Sequence, residues 1–236
     1  MPAQREIDQQ RDYWNREVDS FDAIYTHRKS LLASTLDSIF RKDMYLRYTE
    51  TLVACEPVAG RRFLDVGCGT GLYALELARR GAAFVCGVDI AERMVQTCIA
   101  RAEEEGTAAG GLTADGSGVM SFIRGEIGDL PEDESFDVSI AIGLFDYLPD
   151  AVPTLRSMRV RTSDRVIATF PRLLTWRAPV RKLRLTLRGC PVYFYTVTGI
   201  REALAAADLY PVEIRRIGKL YFVVARPDGI QPFATQ

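Results

Sequence analysis

Apolar positions recur at three- and four-residue steps through the first quarter of the chain. Trp14, Val18, Phe21, Ile24 and Tyr25 form one set, Leu32, Leu36, Ile39 and Phe40 a second, and Met44, Leu46 and Tyr48 a third. That period predicts helical structure over 8–54, closed by Pro57 and Gly60. Beyond this point the pattern changes to short, continuous apolar runs that alternate with helical spacing. It predicts strand 62–66, helix 71–80, strand 83–88, helix 91–104, strands 119–124 and 136–142, helix 150–160 and strand 165–170. Helix 197–207 follows, with Thr196 as its N-cap, and strands 211–217 and 219–225 hinge at Gly218 as a hairpin. The Gly/Ala/Thr/Ser-rich stretch 106–118 reads as a mobile surface loop. Alternation ending in a hairpin predicts an α/β fold: a mostly parallel sheet with one antiparallel edge strand and helices on both faces.

Composition narrows the class without naming a chemistry. A chain of 236 residues, 47% apolar and 26% charged, suits one α/β domain with added elements. No apolar run approaches the ~18 residues of a membrane span, and the polar start of the chain does not read as a secretory signal. Five cysteines without C-x-x-C spacing read as reduced thiols of a cytoplasmic protein, with no structural zinc and no metal expected. A net charge of −1 argues against general nucleic-acid affinity.

The chemistry concentrates in Phe63-Leu64-Asp65-Val66-Gly67-Cys68-Gly69-Thr70-Gly71. An apolar strand ends in an acid, a glycine-alternating turn follows, and a helix begins. In α/β sheets this is the place for a nucleotide-like ligand. A dinucleotide fingerprint would need a third glycine at position 72, where the chain has Leu72. The next apolar run, Ala83 to Val88, ends at Asp89, about 20 residues past the loop, where a carboxylate can accept from both hydroxyls of a ribose. A plainer role for Asp89 is to cap the helix beginning at Ala91, and Cys68 reads most simply as a small residue between glycines.

This G-x-G-x-G block with Asp65 before it resembles motif I of the class I S-adenosylmethionine-dependent methyltransferases. Two further blocks are similar to that family: Phe122-Ile123-Arg124-Gly125-Glu126-Ile127-Gly128-Asp129-Leu130-Pro131 and Phe136-Asp137-Val138-Ser139-Ile140-Ala141-Ile142-Gly143. The resemblance spans about residues 60–226. It implies a Rossmann-like sheet of seven strands with an N-terminal helical extension, divided as 1–58 (extension or lid) and 59–236 (cofactor-binding domain). It also implies S-adenosyl-L-methionine as cofactor, with Asp65, Gly67, Gly69, Gly71 and Asp89 at its methionine and ribose parts, Glu126, Ile127 and Ile142 around its adenosine, and Cys68 and Ile90 beside them among the cofactor-binding residues. Many relatives carry Asp where this chain has Glu126. The general pattern resembles the quinone-biosynthesis and magnesium-protoporphyrin methyltransferases, and so implies a small-molecule acceptor.

The segment after the fourth strand is Leu144-Phe145-Asp146-Tyr147-Leu148-Pro149-Asp150. It lacks the Asn/Asp-Pro-Pro-Tyr block of amino-methylating enzymes and the Pro-Cys nucleophile of cytosine C5 methylation. Asp146 is the first candidate base and Tyr147 the second. His27, the only histidine, lies in the extension and is a third candidate, though it reads more simply as a surface residue. From Arg156 to Arg188 ten basic residues face one acid, Asp164. A solvated cationic face is the plainest reading. The others are an anionic acceptor held by arginine forks and peripheral membrane contact through 172–188, against which Pro179 interrupts a continuous helix. A non-catalytic regulatory subunit that binds the cofactor and a nicotinamide-dependent oxidoreductase are the alternative functions.

Overall fold

A computed structural model describes residues 2–25, 36–105, 120–131, 133–173, 185–186 and 190–227. The expected loop 106–118, His27 and most of 172–188 lie outside the described residues. Among the described residues the N-terminal segment forms α1 (Pro2–Tyr25) and α2 (Leu36–Cys55). Then follow β1 (Arg62–Val66), α3 (Leu72–Arg79), β2 (Phe84–Asp89), α4 (Glu92–Glu104) and β3 (Met120–Arg124). A 3-10 turn over Ile127–Asp129 leads to β4 (Phe136–Ala141), α5 (Val152–Arg161), β5 (Thr162–Pro171), α6 (Val197–Ala206), β6 (Tyr210–Ile217) and β7 (Leu220–Arg226).

All seven strands form one sheet in the order β3-β2-β1-β4-β5-β7-β6. The first five pair in parallel, β7 runs antiparallel to β5, and β6 runs antiparallel to β7. The single antiparallel strand is therefore β7, one place in from the edge, because the hairpin folds back between β5 and β6. The order reverses at β1, whose C-terminal end lies between crossovers to β2 and β4. At such a switch point a crevice opens outside the carboxyl ends of the strands.

The central strands read as continuous apolar runs because both their faces are covered. On one face Phe84, Phe136 and Phe170 of the strands pack against Leu155 of α5 and Leu204 of α6. On the other, Leu52 of α2 joins Phe63, Leu77, Val85, Cys98 and Phe222. Full burial of each such side chain stabilises the fold by about 1.5–3 kcal/mol. Thr196 caps α6 as expected, its hydroxyl accepting from Gly199 N–H at 3.1 Å.

β5 begins three residues earlier than the apolar run suggests. Its polar start is fixed by ion pairs, Asp164 meeting Arg61 at 2.6 Å, Arg165 at 2.8 Å and Arg226 at 3.6 Å. Burial would raise the Asp164 carboxyl, but the Arg61 and Arg165 guanidinium groups outweigh it and hold the group below its usual range.

Several arginines of the basic segment are tied into the fold. Arg156 donates to the Ala206 carbonyl, buried Arg161 to that of Leu130, Arg165 to those of Ala54 and Glu56, and Arg172 to that of Gly218. Their cationic charge has a structural use, whereas 177–184 and Arg188 lie outside the described residues.

Candidate active site

The loop between β1 and α3 turns on three glycines with positive φ: Gly67 at 71°, Gly69 at 56° and Gly71 at 80°. Any other residue would be strained there. Close packing adds to the requirement at Gly71, where a Cβ would stand 3.1 Å from Cys98 Sγ. The loop is anchored from three sides. Gly67 and Cys68 N–H both donate to the Val88 carbonyl, at 2.8 and 3.1 Å. Arg101 of α4 donates to the Thr70 carbonyl at 2.9 Å, and the Cys98 thiol to that of Gly69 at 3.1 Å.

Two acids flank this loop. Asp65, at 1% exposure, accepts from Ala74 N–H in the first turn of α3, while its Oδ2 is buried without a hydrogen-bond partner. Burial first, then the nearby Asp89 charge, push its carboxyl up to about 7, against the Ala74 bond. Such an acid is costly to leave alone and is well matched to a cation. Asp89 ends β2, accepting from Gly69 N–H on one oxygen (2.9 Å) and from Ala91 N–H on the other (2.8 Å). It thus both pins the loop and serves the start of α4. Each oxygen keeps a second lone pair for a ligand hydroxyl. Burial raises the Asp89 carboxyl also, opposed by the two N–H donors.

The adenosine candidates lie at the ends of the neighbouring strands. Ile90 follows β2 and is half-buried, Ile127 is buried, and Ile142 is half-buried just beyond β4. Glu126 is exposed and joins a capping box in which its own N–H donates to Asp129 Oδ2 at 2.8 Å. The Asp129 carboxylate is thereby used locally.

Past β4, Leu144 covers the loop, its Cδ1 lying 3.0 Å from where a Gly67 Cβ would be. Asp146 is 5% exposed, and its carbonyl accepts from Tyr193 N–H at 2.9 Å. The Tyr147 ring meets Trp14 of α1 edge-on at 5.1 Å, and Trp14 meets Tyr13 likewise at 5.2 Å. Gln10 donates to the Tyr147 carbonyl at 2.5 Å. On its other side α1 reaches the start of α4. Asn15 Oδ1 accepts from Arg93 N–H at 3.1 Å, its carbonyl accepts from Arg93 Nη1 at 2.8 Å, and Val18 packs on Ala91 and Met94. The N-terminal helix therefore bridges the segments on both sides of the crevice.

Arg47 of α2 was not singled out by the sequence, where it is one cation within a helical stretch. Its Nη1 lies 3.2 Å from the position of a Cβ on Gly143, whose φ is +84°, so the guanidinium stands against the segment that covers the glycine loop. Among the described residues no group of three or more His, Cys, Asp or Glu could hold a metal ion, and no helix is long and apolar enough to cross a membrane.

The chain has a Rossmann-like sheet, a glycine loop at its switch point and an acid at the end of each of the first two strands, and residues 57–170 match the model of the methyltransferase-domain family. The chain is 35% identical over 102 residues to the ubiquinone biosynthesis O-methyltransferase of Neisseria meningitidis, covering 42% of this chain and 39% of the relative. It is 33% identical over 116 residues to the magnesium-protoporphyrin O-methyltransferase of Rhodobacter capsulatus, covering 48% and 46%. The chain thus spans less than half the length of these curated relatives. The fold matches that of magnesium protoporphyrin IX methyltransferase from Synechocystis, solved with bound S-adenosylhomocysteine. The TM-score is 0.72 at 22% identity, over 93% of this chain and 98% of that one.

Proposed function

We propose that the protein transfers a methyl group from S-adenosylmethionine to a small-molecule acceptor. The observation that carries this reading is the buried Asp65 carboxylate, with one oxygen lacking a partner, across the glycine loop from Asp89. When bound, S-adenosylmethionine supplies a methyl group already activated by its sulfonium. Asp65 Oδ2 receives the ligand's ammonium, which satisfies the orphaned atom. Arg47 faces the ligand's carboxylate, completing recognition of a zwitterion. Asp89 accepts from the ribose hydroxyls, while Ile90, Ile127 and Ile142 cover the adenosine and exclude water.

On the acceptor side the chain's contribution is mainly orientation into near-attack geometry. Trp14 and Tyr147 form an aromatic wall suited to an apolar or lipid-like ring. Asp146 takes the proton of an acceptor hydroxyl, with Tyr147 as the second group in reach; a carboxylate acceptor would need no base. The helix bridging the crevice acts as a lid.

Calorimetric titration with S-adenosylmethionine, S-adenosylhomocysteine and NADH tests the cofactor reading. Binding of both adenosyl compounds and not NADH is the expected result. Failure of both to bind would end it in favour of a different ligand, and NADH binding would favour the oxidoreductase.

A further inference from the structure

Five cysteines are buried and free, but only two of them meet at the cofactor loop. Cys68 lies within it and Cys98 on the inner face of α4, and both thiols point at one atom. The Gly69 carbonyl oxygen is 3.1 Å from Cys98 Sγ and 4.0 Å from Cys68 Sγ, and the two thiols interact with each other side chain to side chain. The space they occupy exists because of two glycines. A Cβ at Gly87 would lie 3.0 Å from Cys68 Sγ, and one at Gly71 would lie 3.1 Å from Cys98 Sγ. Each thiol thus sits where its neighbours have no side chain, 30 residues apart in sequence and side by side in the fold.

We infer that Cys68 and Cys98 form a reversible intramolecular disulfide that fixes the cofactor loop to α4 and switches off cofactor binding. With hydrogen peroxide as oxidant, one thiol loses its proton and attacks a peroxide oxygen, giving a sulfenic acid and hydroxide, which that proton converts to water. The second sulfur then displaces water from the first, with loss of its own proton. Two S–H bonds are broken, one S–S bond forms, and the two electrons reduce peroxide to two waters. Cross-linking removes the thiol donor to the Gly69 carbonyl and draws the loop toward the helix. Gly69 carries the N–H that Asp89 accepts, so the shift reaches the ribose-binding acid directly.

Kinetics follow from the environment. The adjacent Cys98 thiol and burial push the Cys68 thiol up, and the thiol form is a poor nucleophile. The pair therefore reacts when the loop opens and is protected while the loop is held shut. The effect on binding rests on the cofactor reading above, whereas formation of the disulfide does not.

The test treats the full chain with a graded excess of hydrogen peroxide and follows intact mass and non-reducing peptide maps. The expected result is loss of 2 Da assigned to a Cys68–Cys98 cross-linked peptide, reversed by dithiothreitol and absent in C98S. Affinity for S-adenosylhomocysteine should fall at least tenfold on oxidation and recover on reduction, and prior saturation with that compound should slow the cross-link. Over-oxidation to sulfinic acid without the cross-link, or a cross-link that leaves affinity unchanged, would overturn the inference. Reduced protein that does not bind S-adenosylhomocysteine but still forms the 68–98 cross-link would sink the cofactor reading and, with it, the switch. C68S tests the same bond from the loop side, should C98S fail to fold.

Discussion

Cofactor affinity should depend on pH through Asp65, and the structure sets both direction and size. Raising a carboxyl from an ordinary 3.8 to about 7 means that ionising it inside the empty fold costs roughly 4 kcal/mol more than in water. Because the folded state binds this proton more tightly than the unfolded state, the free protein loses stability as pH rises from about 4 to 7 and no further above that. A ligand ammonium against Oδ2 reverses the balance, since it needs the ionised form. Below pH 7 binding must therefore displace a proton. Affinity for S-adenosylhomocysteine should fall about tenfold at pH 6 and approach a hundredfold at pH 5, relative to pH 8. At the alkaline end the ligand's own ammonium deprotonates and affinity declines again. Calorimetry at pH 6 in two buffers of different ionisation enthalpy should report release of nearly one proton. The control ligand is 5′-methylthioadenosine, which lacks the amino acid and should bind without this slope. Asp65→Asn should abolish the slope. Affinity constant within twofold from pH 5.5 to 8, or an equal slope for 5′-methylthioadenosine, would refute the reasoning.

Asp89→Ala removes an acceptor for two backbone N–H groups and for the ribose. Affinity for S-adenosylhomocysteine should drop roughly 10²-fold, a charged hydrogen bond being worth about 1.5–3 kcal/mol; titration calorimetry checks it. Arg47→Met should weaken S-adenosylhomocysteine about tenfold or more and leave 5′-methylthioadenosine unchanged, since only the former carries a carboxylate. Once an acceptor hydroxyl is in hand, Asp146→Asn should lower kcat by about 10²–10⁴ with cofactor affinity intact in a parallel titration. Gly71→Ala, strained at φ +80° and crowded by Cys98 Sγ at 3.1 Å, should destabilise the fold by about 1–3 kcal/mol, read from urea unfolding.

The parts of the site that sequence alone made legible are those whose neighbours are local. Asp65, the three glycines and Asp89 lie within one strand–loop–helix–strand unit, so spacing alone brings them together. Thr196 was readable as a cap for the same reason. What escaped depends on tertiary choices. The pattern of 211–225 announces a hairpin but not which strand of it meets β5, and so the antiparallel strand was expected at the edge. The polar start of β5 hid because Ser163 is held by the Phe136 carbonyl and Asp164 by Arg61 and Arg226, all distant along the chain. Arg47 and the edge-on pair of Trp14 with Tyr147 join residues 96 and 133 positions apart, respectively, in the numbering, and no periodicity records such meetings. Cys98 read only as one of five reduced thiols, and its place against the glycine loop is made by the fold.

The place of β7 in the sheet has a consequence for how the chain is made. During synthesis β1 to β5 emerge first and can pair among themselves, leaving the outer edge of β5 as an open row of amide and carbonyl groups. Its proper neighbour is the last described strand to leave the ribosome, and it must arrive already paired with β6. A nascent chain halted before Leu220 would therefore present a naked edge of Thr162–Pro171 to other chains. Association through that edge is the characteristic hazard of this topology, and the completed hairpin removes it by adding both strands in one step.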